Sequence, residues 1–340
     1  MTILITGGTG FVGSHTVALL HRRGRAVHLL VRDRRRAARA LRPHGVDLAE
    51  LRVTTGDVTD PATVAAAVRD CSAVLHAASV YSFDPRRRAE IRAVTRRGTE
   101  VVLDASRAAG VPRVVHVSTF GALVPAPGPV TADSPVARPR EAYLSAKAAA
   151  ERVARRHQDE GAPVTIVHPP ALLGPLDPNL GDQTARIRDV LRGLMPIWPD
   201  GGFPIGDVRD LAALHARLLD GAPGPARVAG QGRFVTTREL LAGLRRVTGR
   251  RLPAVHLPAA ALLPVGRLAG LAQRVLPVHV PVEYGAIYAC RVARPLATTA
   301  TDELLGAAAR PLVETLTDTV RWLHEAGHVS AAQAGRAGAG

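Results

Sequence analysis

Cysteine, lysine and long uninterrupted apolar runs are all scarce in this chain, and each shortage removes a class of protein from consideration. Cys71 and Cys290 are the only cysteines, far apart and outside any C-x-x-C spacing. That count argues against a disulfide framework and against a zinc site, so no metal is expected and the cytoplasm is the simplest compartment. The opening residues, MTILITGGTG, contain no basic segment leading into a long apolar run and no cleavage pattern. Neither a signal peptide nor an N-terminal anchor is expected. The longest apolar stretch, residues 259–278, carries Arg267 and Arg274 together with prolines and glycines. It reads as an amphipathic segment of a substrate domain and not as a membrane span.

Lysine is scarcer still. The chain has 44 basic residues, and Lys147 is the one that is not arginine. A bias toward arginine that stops at a single position implies a need there for a compact ammonium with freely directed donors, for which a planar guanidinium is no equivalent. The same arginines give a formal charge of +15, which attracts polyanions without regard to sequence. They are scattered and belong to no nucleic-acid motif, so no specific nucleic-acid partner is expected.

At 340 residues, 46% hydrophobic and 21% charged, the chain lies in the ordinary globular range and exceeds what one small core organises. Its first half alternates short apolar runs, TILIT, AVHLLVR, LRVTTGDV, AVLHAAS, RVVHVST and VTIVHP, with helical patterns such as FVGSHTVALLHRRG and AYLSAKAAAERVARRHQ. Strands separated by helices of this length imply right-handed crossovers and a parallel sheet covered on both faces. The expected fold class is α/β, a doubly wound parallel sheet of the Rossmann type with a smaller, mostly helical C-terminal substrate domain. Residues 1–169 make the first unit, with a return at 203–230, while 170–202 and 231–328 make the second. The tail 329–340, ending AAQAGRAGAG, is too poor in apolar bulk to order.

Between the first strand and the first helix stands TGGTGFVG, which sets Gly7, Gly10 and Gly13 in a G-x-x-G-x-x-G spacing. Backbone that turns tightly against a pyrophosphate requires glycine, and the exposed N–H groups of the next helix meet the phosphate charge. The second strand ends in VRD and runs into Arg34, Arg35 and Arg36. An acidic residue at that strand end suits a free ribose 2′-hydroxyl, and an arginine suits a 2′-phosphate. Arg32 precedes Asp33, so NADP(H) is favoured over NAD(H). Asp57 and Val58 of GDV are placed to meet adenine, and Ala77 and Ala78 of HAAS are small where backbone passes near the cofactor.

Tyr143 and Lys147 form Y-x-x-x-K on a predicted helix and share one of its faces. A phenol is a poor acid-base catalyst near neutral pH until a close positive charge stabilises its phenolate, and Lys147 supplies that charge. The lysine can also donate to ribose hydroxyls.

On TGGTGFVG, GDVTD, HAAS, RRGTEVVLDAS, VVHVST, YLSAKAAAE and VHPPALLGP, taken in order, the chain resembles the extended short-chain dehydrogenases. This group is also called the NAD-dependent epimerase/dehydratase family, and the resemblance covers essentially the whole length. LMPIWPDGG and IGDVRDLAALH are similar to the branch holding dihydroflavonol 4-reductase-like proteins and hopanoid-associated sugar epimerases. The resemblance implies a catalytic set of Tyr143, Lys147 and Thr119, with Thr119 hydrogen-bonding the reacting oxygen and Ser118 as the neighbouring alternative. It implies a cofactor set of Gly7, Thr9, Gly10, Phe11, Val12, Gly13, Arg32, Asp57, Val58, Ala77, Ala78, Tyr143, Lys147 and Pro170.

Two departures from the family pattern carry information. Thr95 stands where Asn is usual, which implies an altered proton supply to Lys147. Phe120 and Gly121 stand where sugar 4,6-dehydratases carry an Asp-Glu pair, so that elimination lacks its acid and base. The activity implied is hydride transfer between NADP(H) and a ketone or secondary alcohol of a small organic substrate. A nucleotide-sugar epimerase retaining NAD would use the same residues, and a non-catalytic nucleotide-sensing module is a third reading. Tyr81 and Phe83 of VYSF, which follows HAAS, are candidates for an apolar substrate wall. A homodimer is left open.

Overall fold

Seven short apolar runs pair into one parallel sheet. The computed structural model describes residues 2–80, 87–220, 224–264, 266, 268 and 284–338. In it β1 (Thr2–Thr6), β2 (Ala26–Val31), β3 (Arg52–Thr55), β4 (Ala73–His76), β5 (Val114–Val117) and β6 (Val164–His168) are joined by β10 (Arg227–Ala229). The order is β10-β6-β5-β4-β1-β2-β3, with every pair parallel. The order reverses between β1 and β4, and a crevice opens beyond the carboxyl ends of strands at such a switch point.

Alternation along each strand supplies two cores. Ile3, Ile5, Leu29, Val115 and Val167 face α1 (Phe11–Arg22), α2 (Arg34–Leu41) and α8 (Val208–Asp220). Leu4, Leu30, Val74, Val114 and Ile166 face α3 (Pro61–Val68), α5 (Gly98–Ala108) and α6 (Ala142–Asp159). A parallel sheet must be apolar on both faces because crossover helices cover both. Burying each such side chain contributes roughly 1.5–3 kcal/mol, which makes the sheet a rigid platform for the loops at its carboxyl end.

Past β6 the chain builds smaller units. β7 (Ala171–Leu173), β9 (Gly202–Asp207) and β11 (Arg233–Thr236) form a three-stranded sheet, and β8 (Ile197–Asp200) pairs with β12 (Val255–Pro258). Around them pack α7 (Asp182–Leu191), α9 (Thr237–Thr248) and the helix Leu312–Glu325, enclosing Trp198, Leu244, Leu316 and Leu323. Most of the apolar stretch 259–278 lies outside the described residues, as do Tyr81 and Phe83. Among the described residues no helix is long and apolar enough to cross a membrane.

The expectation of a disordered tail is corrected over residues 329–338. Ser330 and Gln333 close a capping box on a helical turn, Ala331–Ala334, followed by a 3-10 turn, Gly335–Gly338. Val329, Ala334 and Ala337 are buried in the same core as α9 and Leu312–Glu325. Small residues lack bulk of their own, but they let backbone lie close to a partner that supplies it. At Gly335, where φ is +57°, an added Cβ would stand 2.1 Å from the carbonyl oxygen of Thr248.

Candidate active site

The cofactor end of the crevice is shaped by missing side chains. Gly7 has φ +79°, and a Cβ there would lie 2.6 Å from the carbonyl carbon of Ala77 and the nitrogen of Ala78. A Cβ on Gly13 would stand 2.1 Å from the oxygen of Gly7. The loop after β1 therefore rests directly on the HAAS backbone after β4. The Gly10 N–H donates to Gly7 O at 3.0 Å, and Gly10 opens α1 with no side-chain cap and no acidic residue in the first turn. The leading N–H groups of α1 thus have no protein acceptor from a side chain, which is the condition for receiving an anion. A dinucleotide pyrophosphate fits this cradle. Thr9, Phe11 and Val12 are partly exposed along it.

Arg32 is exposed immediately beyond β2. Asp33 serves the backbone instead: its Oδ1 accepts from the N–H groups of Arg35 (2.8 Å) and Arg36 (3.2 Å), capping α2. Those bonds hold its carboxyl below the usual range. Arg36 Nη2 donates to Asn179 Oδ1 at 2.7 Å, and Asn179 Nδ2 donates to the Thr9 carbonyl at 3.1 Å. This strap from α2 to the glycine loop joins positions 143 residues apart, so no local sequence signal announces it. Asp57 Oδ1 accepts from the N–H (2.9 Å) and hydroxyl (2.7 Å) of Thr59, and buried Val58 packs against Gly98. The Pro170 ring is buried against Gly206, Gly230 and Gly232, so its contacts are with the smaller sheet and the turn beside it.

At the other end, α6 starts where the Glu141 carboxylate accepts from the Leu144 N–H at 2.8 Å. Tyr143 is buried among Val80, Ile91, Leu144, Ala146 and Tyr288. One turn on, Lys147 Nζ donates to the carbonyl of Val117 at 2.9 Å, at the very end of β5. Thr119 stands two residues further, its Oγ1 accepting from the Gly121 N–H at 3.2 Å and capping the short turn Phe120–Leu123. A Cβ on Gly121 would lie 2.5 Å from Leu144 Cδ2 and 3.5 Å from Thr119 Oγ1, so this glycine lets the strand end and the start of α6 meet. Ser118 is buried in the interior, its hydroxyl directed to the Glu151 carboxylate.

Beneath these residues lies a polar layer that sequence reasoning missed. His76 and His116 are opposite one another in register on β4 and β5, with rings stacked 5.5 Å apart. Ala78 N–H donates to Thr6 Oγ1 (3.3 Å), while Thr99 spends its only hydroxyl hydrogen on the Thr95 carbonyl (2.8 Å). His76 Nε2 must then donate to Thr99 Oγ1 (3.3 Å), leaving Nδ1 to accept from the Thr6 hydroxyl (2.8 Å). Burial, reinforced by the Lys147 cation, pushes His76 down to about 3 and keeps it neutral. Thr95, in a π-helical turn Ala93–Arg97, shares a 3.2 Å hydroxyl contact with Ser79. The site thus ties Thr95 into a hydroxyl and histidine chain.

Glu151, one turn beyond Lys147, is fully buried. Its Oε1 accepts from His168 Nε2 and Arg155 Nε, each at 2.9 Å. Burial alone would raise this carboxyl, but His168, Ser118 and Arg155 together hold it well below the usual range. Lys147 is brought down to about 8 by burial, with the Glu151 charge opposing that shift. The available signals were the i, i+4, i+8 spacing of Lys147, Glu151 and Arg155, and histidines in three successive core strands.

Against known proteins, residues 3–228 match the model of the NAD dependent epimerase/dehydratase family. The chain belongs to that family, and it is an enzyme of the extended short-chain dehydrogenase type. Sterol demethylase protein B of Methylococcus capsulatus is 29% identical over 336 residues, covering 97% of this chain and 100% of that protein. A putative dihydroflavonol 4-reductase of Synechocystis is 30% identical over 264 residues, covering 75% and 74%. Among solved structures, that of gox2253 superposes with a TM-score of 0.79 at 26% identity, covering 97% of this chain and 99% of that one.

Proposed function

We propose that this enzyme moves hydride reversibly between NADP(H) and a ketone or secondary alcohol of a small organic substrate. The observation that carries the proposal is the placement of Tyr143 and Lys147 on one face of α6, with Nζ anchored on Val117 O beside Thr119. When bound, the nicotinamide supplies or accepts the hydride. In this reading Tyr143 passes a proton to or from the substrate oxygen, Thr119 orients that oxygen through its hydroxyl, and Lys147 favours the phenolate. Arg32 meets the 2′-phosphate, since Asp33 is occupied in capping α2.

The apolar cluster around Tyr143 supports an apolar, ring-bearing alcohol or ketone. Relatives whose names refer to sterols, flavonols and 3 beta-hydroxysteroids support the same class. The reading sets the enzyme in the cytoplasm, in keeping with the unpaired Cys71 and Cys290.

A second reading, a nucleotide-sugar epimerase that retains NAD, draws support from similarly folded proteins solved with NAD, such as WbmH of Bordetella bronchiseptica (21% identical, TM-score 0.73, covering 96% of this chain and 99% of that one). Mass spectrometry of nucleotide released from the purified protein separates the two. Freely exchanged NADP(H) is expected, whereas tightly retained NAD would favour the epimerase. Tyr143→Phe is expected to lower turnover by about a thousandfold with nucleotide binding intact, within the usual range for loss of a general acid-base group.

A further inference from the structure

We infer that Glu151 is a positioning residue of the reaction, a buried counter-charge that keeps Lys147 in its ammonium form. The inference rests on the catalytic reading of Tyr143 and Lys147 given above. Lys147 is 5% exposed, and its hydrogen-bond partner among the described residues is a neutral carbonyl, Val117 O. An ammonium withdrawn from water this far loses its proton readily unless an anion stands near. Glu151 follows one helical turn later on the same face, where i and i+4 side chains are neighbours, and it is completely buried.

Among the described residues, the groups around Lys147 leave Glu151 as the anion of this layer. Tyr143 lies on the same helix face. From β4 and β5 come His76 and His116, both held neutral by burial. From β6 comes His168, bonded to Glu151, and from α6 itself comes Arg155, whose Nη2 also reaches the carbonyl of Ser134 at 2.9 Å.

A simpler role, tying β6 to α6, would need only His168 and Arg155. It leaves unexplained why His116 Nδ1 and Nε2 and His168 Nδ1 are buried in one layer without a partner among the described residues. Orphaned polar atoms make a poor structural core. They suit a polar medium around a charge pair that must stay ionised next to a reacting group.

The scarcity of lysine makes the test direct. With isotope-labelled lysine, Lys147 gives the chain's single lysine side-chain signal, and its titration can be followed by NMR without any turnover. Glu151→Gln removes the charge that raises the Lys147 pKa, so the midpoint should fall by about one pH unit, the scale of one close opposite charge. Because the variant ammonium is lost at lower pH, the deficit in kcat should be about fivefold at pH 8, approach tenfold above pH 9 and narrow toward pH 6, with KM little changed. Arg155→Gln, at a partly exposed position, removes a competing cation and should move the midpoint the other way. It keeps the inference testable if the buried glutamine is not accommodated.

Opposite shifts in the two variants support the inference. An unmoved lysine midpoint, with a rate deficit equal at every pH, overturns it and reduces Glu151 to a structural tie. A moved midpoint with an unchanged rate profile overturns the catalytic reading of Lys147 and the role of Glu151 along with it.

Discussion

At the loop after β1 the chain makes room for its cofactor by omitting side chains, whereas beneath α6 it fills the interior with histidines, hydroxyls and a carboxylate. The glycine loop works through backbone, and its tolerances are steric: at Gly7 and Gly13 an added Cβ would meet backbone within 2.6 Å. The layer under Lys147 works through charge, and its tolerances are electrostatic: neutral His76 and His116, anionic Glu151 and a lysine brought down to about 8. Errors should therefore differ in kind. At the loop they should damage binding at any pH, and in the polar layer they should damage turnover in a pH-dependent way.

Between the loop and the polar layer, the largest effect is expected from Gly13→Val, which forces the loop away from its seat on Gly7. It should lower kcat/KM by at least about a hundredfold, the cost of displacing reacting groups by an ångström, through weaker nucleotide binding measured by titration. Retention of full nucleotide affinity would remove the steric half of the comparison. Thr119→Val should lower turnover by roughly a hundredfold while leaving nucleotide affinity nearly intact, as for loss of one donor to developing oxyanion charge. Ser118→Ala should do less, because Ser118 faces the polar layer and Thr119 the strand end. The reverse ranking would move the reacting hydroxyl one residue upstream.

Lys147→Arg tests the charged end directly. Activity should fall by at least about tenfold, a loss of 1.36 kcal/mol in transition-state stabilisation, because a planar guanidinium cannot direct its donors like an ammonium. The pH effect has a definite sign. Lys147 is held near 8 and loses its charge above that, whereas arginine stays charged, so the alkaline limb of the rate profile should move to higher pH. A full profile of turnover against pH for both proteins checks this, and an unchanged rate and profile would make the lone lysine an accident of composition.

The same contrast explains what could be read from sequence. Gly10 and Gly13 were legible because their constraint is local, set by Gly7 within one turn of chain, and Gly7 was legible through its spacing to them although the distant Ala77–Ala78 backbone is what crowds it. The doubly wound sheet was legible because short continuous apolar runs separated by helices leave few topologies. The polar layer was not, since His76, His116 and His168 become one layer only when β4, β5 and β6 are placed in register, a long-range fact. The ordering of 330–338 was illegible for a related reason. Ala334 and Ala337 are buried by bulk supplied from elsewhere in the chain, and no composition count over the tail itself can register it. Asp33 shows the limit from the other side, because its identity was visible but its service as a cap was not.

The smallest effect, and the one that sharpens the steric end most, concerns cofactor choice. Arg32 is exposed at the end of β2, and a surface guanidinium bonded to a 2′-phosphate gains from charge and loses to screening. The enzyme should bind NADPH more tightly than NADH, and Arg32→Ala should reduce that preference by about tenfold or less at fixed low salt. Arg34 and Arg35 stand close enough in sequence to take part of the load, which keeps the loss small. Raising the salt should compress the NADPH advantage of the unmodified protein, because the 2′-phosphate adds exposed charge to a pyrophosphate that both nucleotides share. Equal affinities for the two nucleotides in the unmodified protein would sink the assignment. The crevice would then choose its cofactor by the glycine loop and shape alone, with no charge reading at the ribose.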